Sequence, residues 1–376
     1  MEIGDATLSL FFTKHVSLKT WADIGIIDRE LALYKKLSIH LKKINLITYG
    51  GRKDKIYSDL LGDINALPLV WRFRAFTILN LLLKYYPELK DSDILKTNQI
   101  NGSEIPLWVK RKFKKKLIVR CGYLHSIHTI KRSNEKKTIR TAIQLEKTAF
   151  TLADMGIVTS AWQRDIVLNQ YMLDPAKIKV IPNYVMTDVF KPDSQIKKKF
   201  DLIFIGRGSE QKNIGNLLKA IKFLKKQNRN ISFVMVGTCC FESKIKQMIT
   251  DYELDVTLKG TIPNFELPKI INQARIFILP SYYEGHPKVL LEAMSCSMPC
   301  IGTDVAGIRE DIAHLVTGYL CKTDFKSISN AIDIILNDES LQTRLGRNAR
   351  NYILSKYSLD KISKMEIEVI KEVLAS

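Results

Sequence analysis

The amino-acid sequence predicts an α/β protein made of two Rossmann-like domains in tandem. Apolar, strand-like runs alternate with helical patterns along nearly the whole chain, which is typical of βα units and parallel sheets. A polar, lysine-rich stretch, Lys191–Lys199, separates two such series and is interpreted as a linker. The 376 residues are too many for one ordinary core and suit two domains. In such a fold, bound molecules lie at the carboxyl ends of the strands, which we expect to line a cleft between the domains.

The first series of elements predicts an N-terminal domain over residues 1–190. Its expected strands are Thr7–Thr13, Ile44–Tyr49, Lys116–Arg120, Gly156–Thr159 and Ile178–Ile181. Its expected helices are Asp28–Leu37, Thr138–Asp154 and Ala161–Tyr171. The run KLIVR at Lys116–Arg120 indicates a buried strand of a parallel sheet.

The second series predicts a C-terminal domain over residues 191–360. Its expected strands are Asp201–Gly206, Ile231–Gly237, Asp255–Lys259, Ile276–Leu279 and Pro299–Gly302. Its expected helices are Asn213–Lys226, Phe241–Tyr252, Phe265–Gln273, Pro287–Met294 and further segments from Ile328 onward. Residues 361–376 are expected to form a last helix that packs back on the first domain.

The charge of the chain is strongly positive. It holds 58 Lys and Arg residues against 39 Asp and Glu, a formal net charge of +19. The excess is concentrated in residues 1–190, with 31 basic against 18 acidic residues, whereas residues 191–376 hold 27 against 21. This basic half indicates an anionic partner such as a membrane surface, a nucleic acid or a phosphorylated substrate; the alternative is a merely solvated basic surface. The content of 46% hydrophobic and 26% charged residues excludes a disordered chain.

The sequence also predicts where the protein works. Met1–Ser9 carries two acidic residues and no basic region, so we expect no secretory signal. The longest apolar stretch, Leu67–Tyr86, is interrupted by Arg72, Arg74 and Lys84, so we expect no bilayer-spanning helix. The six cysteines are scattered without zinc-type pairing and are expected to be small core residues. These features together favour the reducing cytoplasm.

The most informative segment is Pro280–Met294 (PSYYEGHPKVLLEAM), which follows an apolar strand and opens a helix. Gly285 lies in the turn, Pro287 suits the first helical position, and the N–H groups of such a helix N-terminus can receive a phosphate. We expect eight residues of helix to separate Glu284 from Glu292 by about 12 Å. They therefore contact different parts of one elongated ligand and cannot form a tight acid/base pair. The alternative makes Glu284 a helix-dipole partner and Glu292 a solvated helix residue.

A family resemblance rests on this segment. The run E-G-x-P-x-V-L-L-E-A-M, followed by P-C-I-G-T-D-V-A-G-I-R-E, resembles the donor-binding signature of the retaining glycosyltransferases of family 4, also called glycosyl transferases group 1. The mark of that family is two glutamates separated by seven residues, as Glu284 and Glu292 are here. The resemblance covers nearly all of residues 140–360 and is vaguer before them. It implies the GT-B fold, in which two Rossmann-like domains face each other across a cleft.

The resemblance also implies roles for residues of the second domain. Glu292 would hold the ribose of a nucleotide-sugar donor, and Glu284 the hydroxyls of the donor sugar. Phe204–Asn213 is similar to the family's strand-loop that places an arginine and a lysine, here Arg207 and Lys212, on the diphosphate. Two fixed cations can stabilise the negative charge that develops there as a metal ion would, so no metal and no other cofactor are expected. The other implied substrate-binding residues of this domain are Gly206, Thr261, Ile262, Gly285, His286, Lys288 and Val289.

The first domain matches the family less well. Many members carry a double glycine after the first strand, whereas this chain has a single glycine, Gly25, in Thr20–Gly25. The run after the KLIVR strand, Arg120–His125, lies where the family often places a histidine or an aromatic residue near the transferred sugar. Tyr123 or His125 would fill that role, and the alternative is a structural histidine. His125 and His128 are three apart, but no carboxylate or cysteine cluster completes a metal site with them.

Three positions depart from the family pattern in the second domain. Lys288 stands where an asparagine is common and would add positive charge near the phosphates. Ser297 and Ala306 replace common glycines, which leaves the geometry of their turns open but removes no chemical group.

A basic cluster, Lys110–Lys116, holds six cations in seven residues, with Trp108 and Phe113 interleaved. Basic and aromatic residues together suit an anionic membrane surface, with each cation contributing about 1 kcal/mol. The alternative is a solvated turn before the KLIVR strand. No nucleic-acid-binding motif accompanies the cluster, so we expect no nucleic-acid partner. We expect peripheral attachment to the inner face of the membrane.

The sequence therefore predicts a retaining glycosyltransferase that moves a sugar from a nucleoside-diphosphate sugar to a hydroxyl of a lipid-linked or cell-surface glycan. In the mechanism implied by the resemblance, the acceptor hydroxyl approaches the face that the diphosphate leaves, and the leaving phosphate oxygen takes its proton. Two alternatives stay open: a nucleotide-sugar epimerase of similar fold and a non-catalytic nucleic-acid-binding protein.

Overall fold

The computed structural model describes residues 1–70 and 73–376 and divides into two compact units. Unit 1 comprises Met1–Pro182 and Asp360–Ser376, and unit 2 comprises Asn183–Leu359. Each unit contains one parallel sheet with helices between its strands, which confirms the predicted α/β class with two Rossmann-like domains. The chain leaves unit 1 at Pro182, earlier than the boundary predicted at residue 190, and the last helix belongs to unit 1.

Unit 1 has a sheet of seven parallel strands in the order β3-β2-β1-β4-β5-β6-β7. The strands are β1 (Thr7–Phe11), β2 (Lys43–Thr48), β3 (Asn65–Pro68), β4 (Ile94–Thr97), β5 (Lys116–Cys121), β6 (Met155–Val158) and β7 (Ile178–Val180). The helices are α1 (Leu18–Asp23), α2 (Ile27–Ser38), α3 (Arg74–Asp91), α4 (Glu104–Phe113), α5 (His125–Ile130), α6 (Lys136–Leu152), α7 (Ala161–Tyr171) and, at the chain end, α15 (Leu359–Ala375). Every residue of β1, β4 and β6 is buried, as expected for strands covered by helices on both faces.

Helix α3 contains a kink that local sequence chemistry explains. Tyr85 departs from helical geometry, with φ −134° and ψ 28°, and Pro87 follows two residues later. Proline cannot donate the usual helix hydrogen bond and crowds the preceding turn, so the helix bends there.

A buried ionic cluster attaches helix α15 to the sheet of unit 1. The Glu366 carboxylate accepts from Lys96 Nζ of β4 at 2.5 Å and from the Arg120 guanidinium of β5 at 3.1 Å. The side chains of Lys96 and Glu366 are fully buried, and that of Arg120 is 9% exposed. Burial lowers the pKa of Lys96, and the adjacent Glu366 carboxylate opposes that shift.

Unit 2 has a sheet of six parallel strands in the order β10-β9-β8-β11-β12-β13. The strands are β8 (Phe200–Ile205), β9 (Phe233–Val236), β10 (Val256–Leu258), β11 (Ala274–Leu279), β12 (Cys300–Thr303) and β13 (Tyr319–Cys321). The helices are α8 (Ile214–Lys226), α9 (Ser243–Asp251), α10 (Leu267–Asn272), α11 (Lys288–Ser295), α12 (Ala306–Arg309), α13 (Phe325–Asn337) and α14 (Glu339–Lys356). The strand order changes direction between β8 and β11, which in this class of fold is where ligands bind.

Ser297, which replaces a common glycine of the family, lies in the turn after α11. Ser297 adopts a left-handed conformation with φ 56°, which glycine adopts without a steric penalty. The turn after α11 thus keeps the geometry that a glycine would favour, although the residue is a serine.

Within residues 1–70 and 73–376, no helix combines the length and the apolar character needed to cross a membrane.

Candidate active site

The segment singled out from the sequence forms the loop between β11 and α11. Helix α11 begins at Lys288, and Pro287 lies just before it, so the proline is one position earlier than predicted. Glu284 lies in the loop, and Glu292 lies inside the helix. The predicted helix between the two glutamates is therefore wrong in its extent, because the chain becomes helical only at Lys288. The side chains nonetheless have separate partners, as an elongated ligand would require.

Glu284 is part of a polar cluster. Its Oε1 accepts from Lys212 Nζ and from Ser281 Oγ, both at 2.6 Å. Its Oε2 has one long contact, 3.4 Å from Gln211 Nε2. The side chains of Glu284 and Lys212 are 8% and 10% exposed, so this is a nearly buried ion pair. Oε2 can accept further hydrogen bonds from a ligand, because each carboxylate oxygen has two lone pairs.

Glu292 is almost completely buried, with 1% of the residue exposed. Its Oε1 accepts from Asn264 Nδ2 at 2.9 Å. The alternative that Glu292 is a solvated helix residue is therefore wrong. Asn264 follows the loop after β10 and is itself 1% exposed. No motif in the sequence points to this residue.

Arg207 and Lys212 follow the end of β8 in one loop. Gly206 begins this loop and donates its N–H to the Val236 carbonyl at 2.9 Å. Arg207 is exposed, and the described residues provide no ion pair or hydrogen bond to its guanidinium. Lys212 is the last residue of a short 3-10 turn and is held against Glu284. One cation is thus available to an anionic ligand, and the other is fixed in position.

The loop after β8 and the loop after β11 are tied together by side chains that the sequence analysis missed. Gln211 Nε2 donates to the Tyr283 carbonyl at 2.8 Å, and the Gln211 carbonyl accepts from the Tyr282 N–H at 2.9 Å. Asn213 Nδ2 donates to the Pro280 carbonyl at 2.9 Å. Asn213 has φ 53°, a left-handed conformation that asparagine adopts more readily than most residues. The loops therefore form one rigid platform around the Lys212–Glu284 pair.

The side chain of His286 is buried and bonded within the protein. Its Nδ1 accepts from the Asn183 N–H at 3.1 Å, and its Nε2 lies 3.3 Å from Asp311 Oδ1. Its carbonyl accepts from Asn183 Nδ2 at 2.7 Å. Only 2% of the His286 side chain is exposed, so the ring fixes the start of α11, and any ligand contact by this residue would have to come from its backbone N–H.

The other predicted binding residues of unit 2 differ in what they offer a ligand. Val289 and Ile262 pack against the apolar core, so their side chains are directed into the protein. Thr261 is exposed in the loop after β10. Lys288 Nζ lies 5.8 Å from the centre of the Tyr184 ring, within the range of a cation–π contact.

The predicted binding residues of unit 1 differ in whether they lie at the expected place in the fold. Gly25, with φ 72°, follows α1 and donates its N–H to Ala22. It therefore ends a helix and does not lie in the loop directly after β1, where the family places its glycines. Tyr123 and His125 do follow β5, as expected, and the Tyr123 ring packs against His128 with centroids 5.1 Å apart.

His125 lies at the start of α5 beside a buried carboxylate, Glu146. Glu146 accepts from the Ser126 N–H at 3.0 Å, from Ser126 Oγ at 2.7 Å and from the Tyr171 hydroxyl at 2.8 Å. Burial lowers the pKa of His125, and the charges of Glu146 and Glu104 oppose this shift. Glu146 thus fixes the backbone that presents His125.

The basic cluster Lys110–Lys116 is only partly available to a partner. Lys110 forms an ion pair with Asp154, and Lys115 Nζ donates to the Lys90 carbonyl at 2.6 Å. Lys116 Nζ contacts Ser376 Oγ at 3.3 Å. The three remaining cations, Arg111, Lys112 and Lys114, are exposed and have no side-chain partner in the described part of the chain.

No group of three or more His, Cys, Asp or Glu side chains in residues 1–70 and 73–376 is arranged to hold a metal ion.

Comparisons with known proteins identify the enzyme class. Sucrose-phosphate synthase from Thermosynechococcus elongatus has a TM-score of 0.81 at 19% identity over 98% of this chain and 99% of that one. Anabaena Alr3699/HepE in complex with UDP has a TM-score of 0.78 at 16% identity over 98% and 100%. At these identities the likeness shows the fold, which is GT-B. Residues 186–352 match the family described as glycosyl transferases group 1. The chain is a GT-B glycosyltransferase.

A curated relative agrees with this assignment. The UDP-Gal:alpha-D-GlcNAc-diphosphoundecaprenol alpha-1,3-galactosyltransferase of Escherichia coli is 27% identical over 271 residues, 66% of this chain and 69% of that protein. The matches to two further relatives span 43% and 66% of those proteins' lengths. The predicted enzyme class and fold are confirmed.

Gly307 lets this glycosyltransferase bring α12 against the Glu284 loop. A Cβ at Gly307 would lie 2.2 Å from the Gly285 carbonyl oxygen and 2.4 Å from that of Glu284. Gly307→Ala should displace this loop and lower turnover of a sugar nucleotide by up to about 10²-fold, because small misplacements of binding groups have that effect. Gly215→Ala is the matched control, because its Cβ would meet only Met248 Cε at 3.9 Å. Equal turnover in the two variants would contradict the role assigned to the loop.

Proposed function

We propose that the enzyme transfers a sugar from a nucleoside-diphosphate sugar, with retention of anomeric configuration, to a hydroxyl of a lipid-linked or cell-surface glycan. The observation that carries the proposal is the Lys212–Glu284 pair, fixed at 2.6 Å between the loops after β8 and β11, with the exposed Arg207 in the same loop as Lys212. A cation and a carboxylate side by side suit the junction of a diphosphate and a sugar.

Each residue of this cluster has a proposed part in the reaction. Arg207 and Lys212 hold the diphosphate, Glu284 Oε2 accepts hydroxyls of the donor sugar, and Glu292 accepts those of the ribose. The bond from the anomeric carbon to the phosphate oxygen breaks while the acceptor oxygen bonds to the same face of that carbon. The acceptor proton passes to the leaving phosphate oxygen, so no protein base is required. The two cations stabilise the charge that develops on the diphosphate.

A uridine-diphosphate sugar is the proposed donor. The relative from Escherichia coli uses UDP-Gal, as its name says, and HepE was solved with UDP bound. The name of the same relative supports a lipid-linked acceptor, since it acts on a sugar attached to diphosphoundecaprenol.

Turnover of the donor alone tests this function. Melting-temperature screening against UDP-, GDP- and ADP-sugars identifies the donor, since a ligand that binds only the folded state raises stability. The protein is then incubated with that donor, and the products are followed by NMR. We expect slow release of the nucleoside diphosphate and a sugar that first appears with the anomeric configuration of the donor, water acting as acceptor. The opposite anomer would overturn retention, and an epimerised sugar nucleotide would favour the epimerase.

We also propose that the enzyme works in the cytoplasm at the inner face of the membrane, where Lys112 and Lys114 contact anionic lipid. Lys112→Gln/Lys114→Gln should weaken binding to phosphatidylglycerol vesicles, measured by co-sedimentation, by about 30-fold, because the two cations together contribute about 2 kcal/mol. Lys53→Gln/Lys55→Gln removes the same charge from another exposed part of unit 1 and should have little effect. If both double variants lost vesicle binding equally, the loss would reflect the net charge of the protein and not a specific contact by Lys112 and Lys114.

Metal independence is a further part of the proposal. Because Arg207 and Lys212 take the role of a divalent cation at the diphosphate, EDTA should leave the rate of donor turnover unchanged. The measurement compares rates before and after dialysis against the chelator, with Mg²⁺ and Mn²⁺ added back to the second sample. A rate that falls with EDTA and returns with either metal would overturn this part.

A further inference from the structure

Unit 1 contains two adjoining cavities that the donor site does not use. One has a volume of about 370 Å³ and the other about 550 Å³, both within the range of small-molecule sites. They share three lining residues, Glu104, Thr141 and Leu145, so they meet along a common border. Helices α4 and α6, which pack together, supply these shared residues.

The smaller cavity is polar and is lined by side chains that suit a sugar. Its walls include Lys14, Asn101, His125 and Thr129. Glu104 Oε2 is buried at the border and has no hydrogen-bond partner among the residues that the structure describes. A buried carboxylate oxygen without a donor is costly, and a sugar hydroxyl would satisfy it.

The larger cavity combines cations with an apolar lining. Arg74, Arg111 and Arg140 line it, each from a different helix. All three are exposed, and none forms an ion pair within residues 1–70 and 73–376. Three guanidinium groups against one carboxylate, Glu104, give this cavity a net positive charge. Guanidinium groups bind phosphates through paired hydrogen bonds, so the charge is complementary to a diphosphate.

The apolar part of the larger cavity is formed by Leu107, Trp108, Leu145 and Leu152. A free sugar phosphate or a nucleotide would leave the apolar surface that these side chains present to the cavity in contact with water. A lipid attached to the phosphates would cover them and would gain about 25 cal/mol for each Å² of apolar surface removed from water.

We propose that the two cavities together form the acceptor site for a sugar that is attached through a diphosphate to a lipid. The sugar lies in the polar cavity beside His125 and Glu104. The diphosphate lies on Arg74, Arg111 and Arg140, and the first part of the lipid chain covers the leucines and Trp108. This inference rests on the proposed function, whose acceptor it names by chemical class.

Calorimetric titration of the full chain with farnesyl diphosphate, below its micelle concentration, tests the site. Farnesyl diphosphate should bind at least about tenfold more tightly than either inorganic diphosphate or farnesol, since each lacks one half of the interaction. Arg111→Gln/Arg140→Gln should weaken binding by about tenfold or more. Arg52→Gln/Arg132→Gln is the matched control, because both arginines are exposed residues of unit 1 outside both cavities.

The other outcomes decide against the site. If inorganic diphosphate binds as tightly as farnesyl diphosphate, the cavity is only an anion site. If both double variants bind farnesyl diphosphate equally, binding depends on the net charge of the protein and not on the arginines of the cavity. If Arg111→Gln/Arg140→Gln no longer binds phosphatidylglycerol vesicles but still binds farnesyl diphosphate, these arginines contact membrane headgroups and the proposal is wrong.

The melting temperature with UDP separates the acceptor-site proposal from the proposed function. If UDP raises the melting temperature but farnesyl diphosphate does not bind, only the acceptor site is wrong. If no sugar nucleotide changes the melting temperature, the proposed function is wrong.

Discussion

Replacing Lys212 by alanine is expected to lower kcat for donor turnover by about 10²–10³-fold. Lys212 Nζ is fixed 2.6 Å from Glu284 Oε1, so it is positioned before the donor binds. Removing one preorganised group that stabilises developing charge typically has an effect of this size. Lys219→Ala removes an exposed lysine from α8 and should leave kcat within a factor of two or so of the native rate.

The same substitution should also destabilise unit 2. Lys212 and Glu284 are nearly buried, and removal of the lysine leaves the carboxylate without its partner, at a cost of about 3–5 kcal/mol. Lys212→Gln/Glu284→Gln removes both charges together and should recover most of the melting temperature while turnover stays low. If turnover returned with stability, Lys212 would be structural and its proposed charge role would be wrong.

An effect on stability of similar size is expected at Glu366 in unit 1. Glu366→Ala leaves two buried cations, Lys96 and Arg120, without their shared carboxylate. The expected loss is about 3–5 kcal/mol in the free energy of unfolding of unit 1, measured by urea denaturation.

Glu372→Ala is the matched control for Glu366, because both residues lie on α15. Glu372 pairs with Lys179 at 3.0 Å, but these side chains are 49% and 37% exposed. Such a surface pair contributes about 0–1 kcal/mol. Equal losses in the two variants would show that the buried cluster does not hold α15 on unit 1.

The buried cluster also explains why part of unit 1 could not be predicted from local sequence. Strand β4 reads Ile-Leu-Lys-Thr, and a lysine argues against a fully buried strand. Lys96 is buried because Glu366 arrives from a helix 270 positions later. Strand β3, Asn-Ala-Leu-Pro, contains no β-branched residue and ends in proline, so its pattern is weak. Neither strand could be predicted from its own residues, although the alternating pattern elsewhere was enough for the fold class.

The site was predicted where its residues are fixed by local motif and missed where they depend on tertiary packing. Glu284 and Lys212 follow the ends of β11 and β8, and the topology places them together as the motifs imply. Asn264 could not be found in this way, because its bond to Glu292 spans 28 residues and rests on the position of α10. His286 lies within the motif, yet its ring faces Asn183 and Asp311, which no local pattern reveals.

The most direct test of the donor site is a crystal structure of the protein with UDP bound. We expect the diphosphate to lie in unit 2, with its oxygens about 2.7–2.9 Å from the Arg207 guanidinium and Lys212 Nζ. The ribose hydroxyls should lie within hydrogen-bonding distance of Glu292. A diphosphate bound away from both cations, or a ribose that contacts neither Glu292 nor its partner Asn264, would contradict the account.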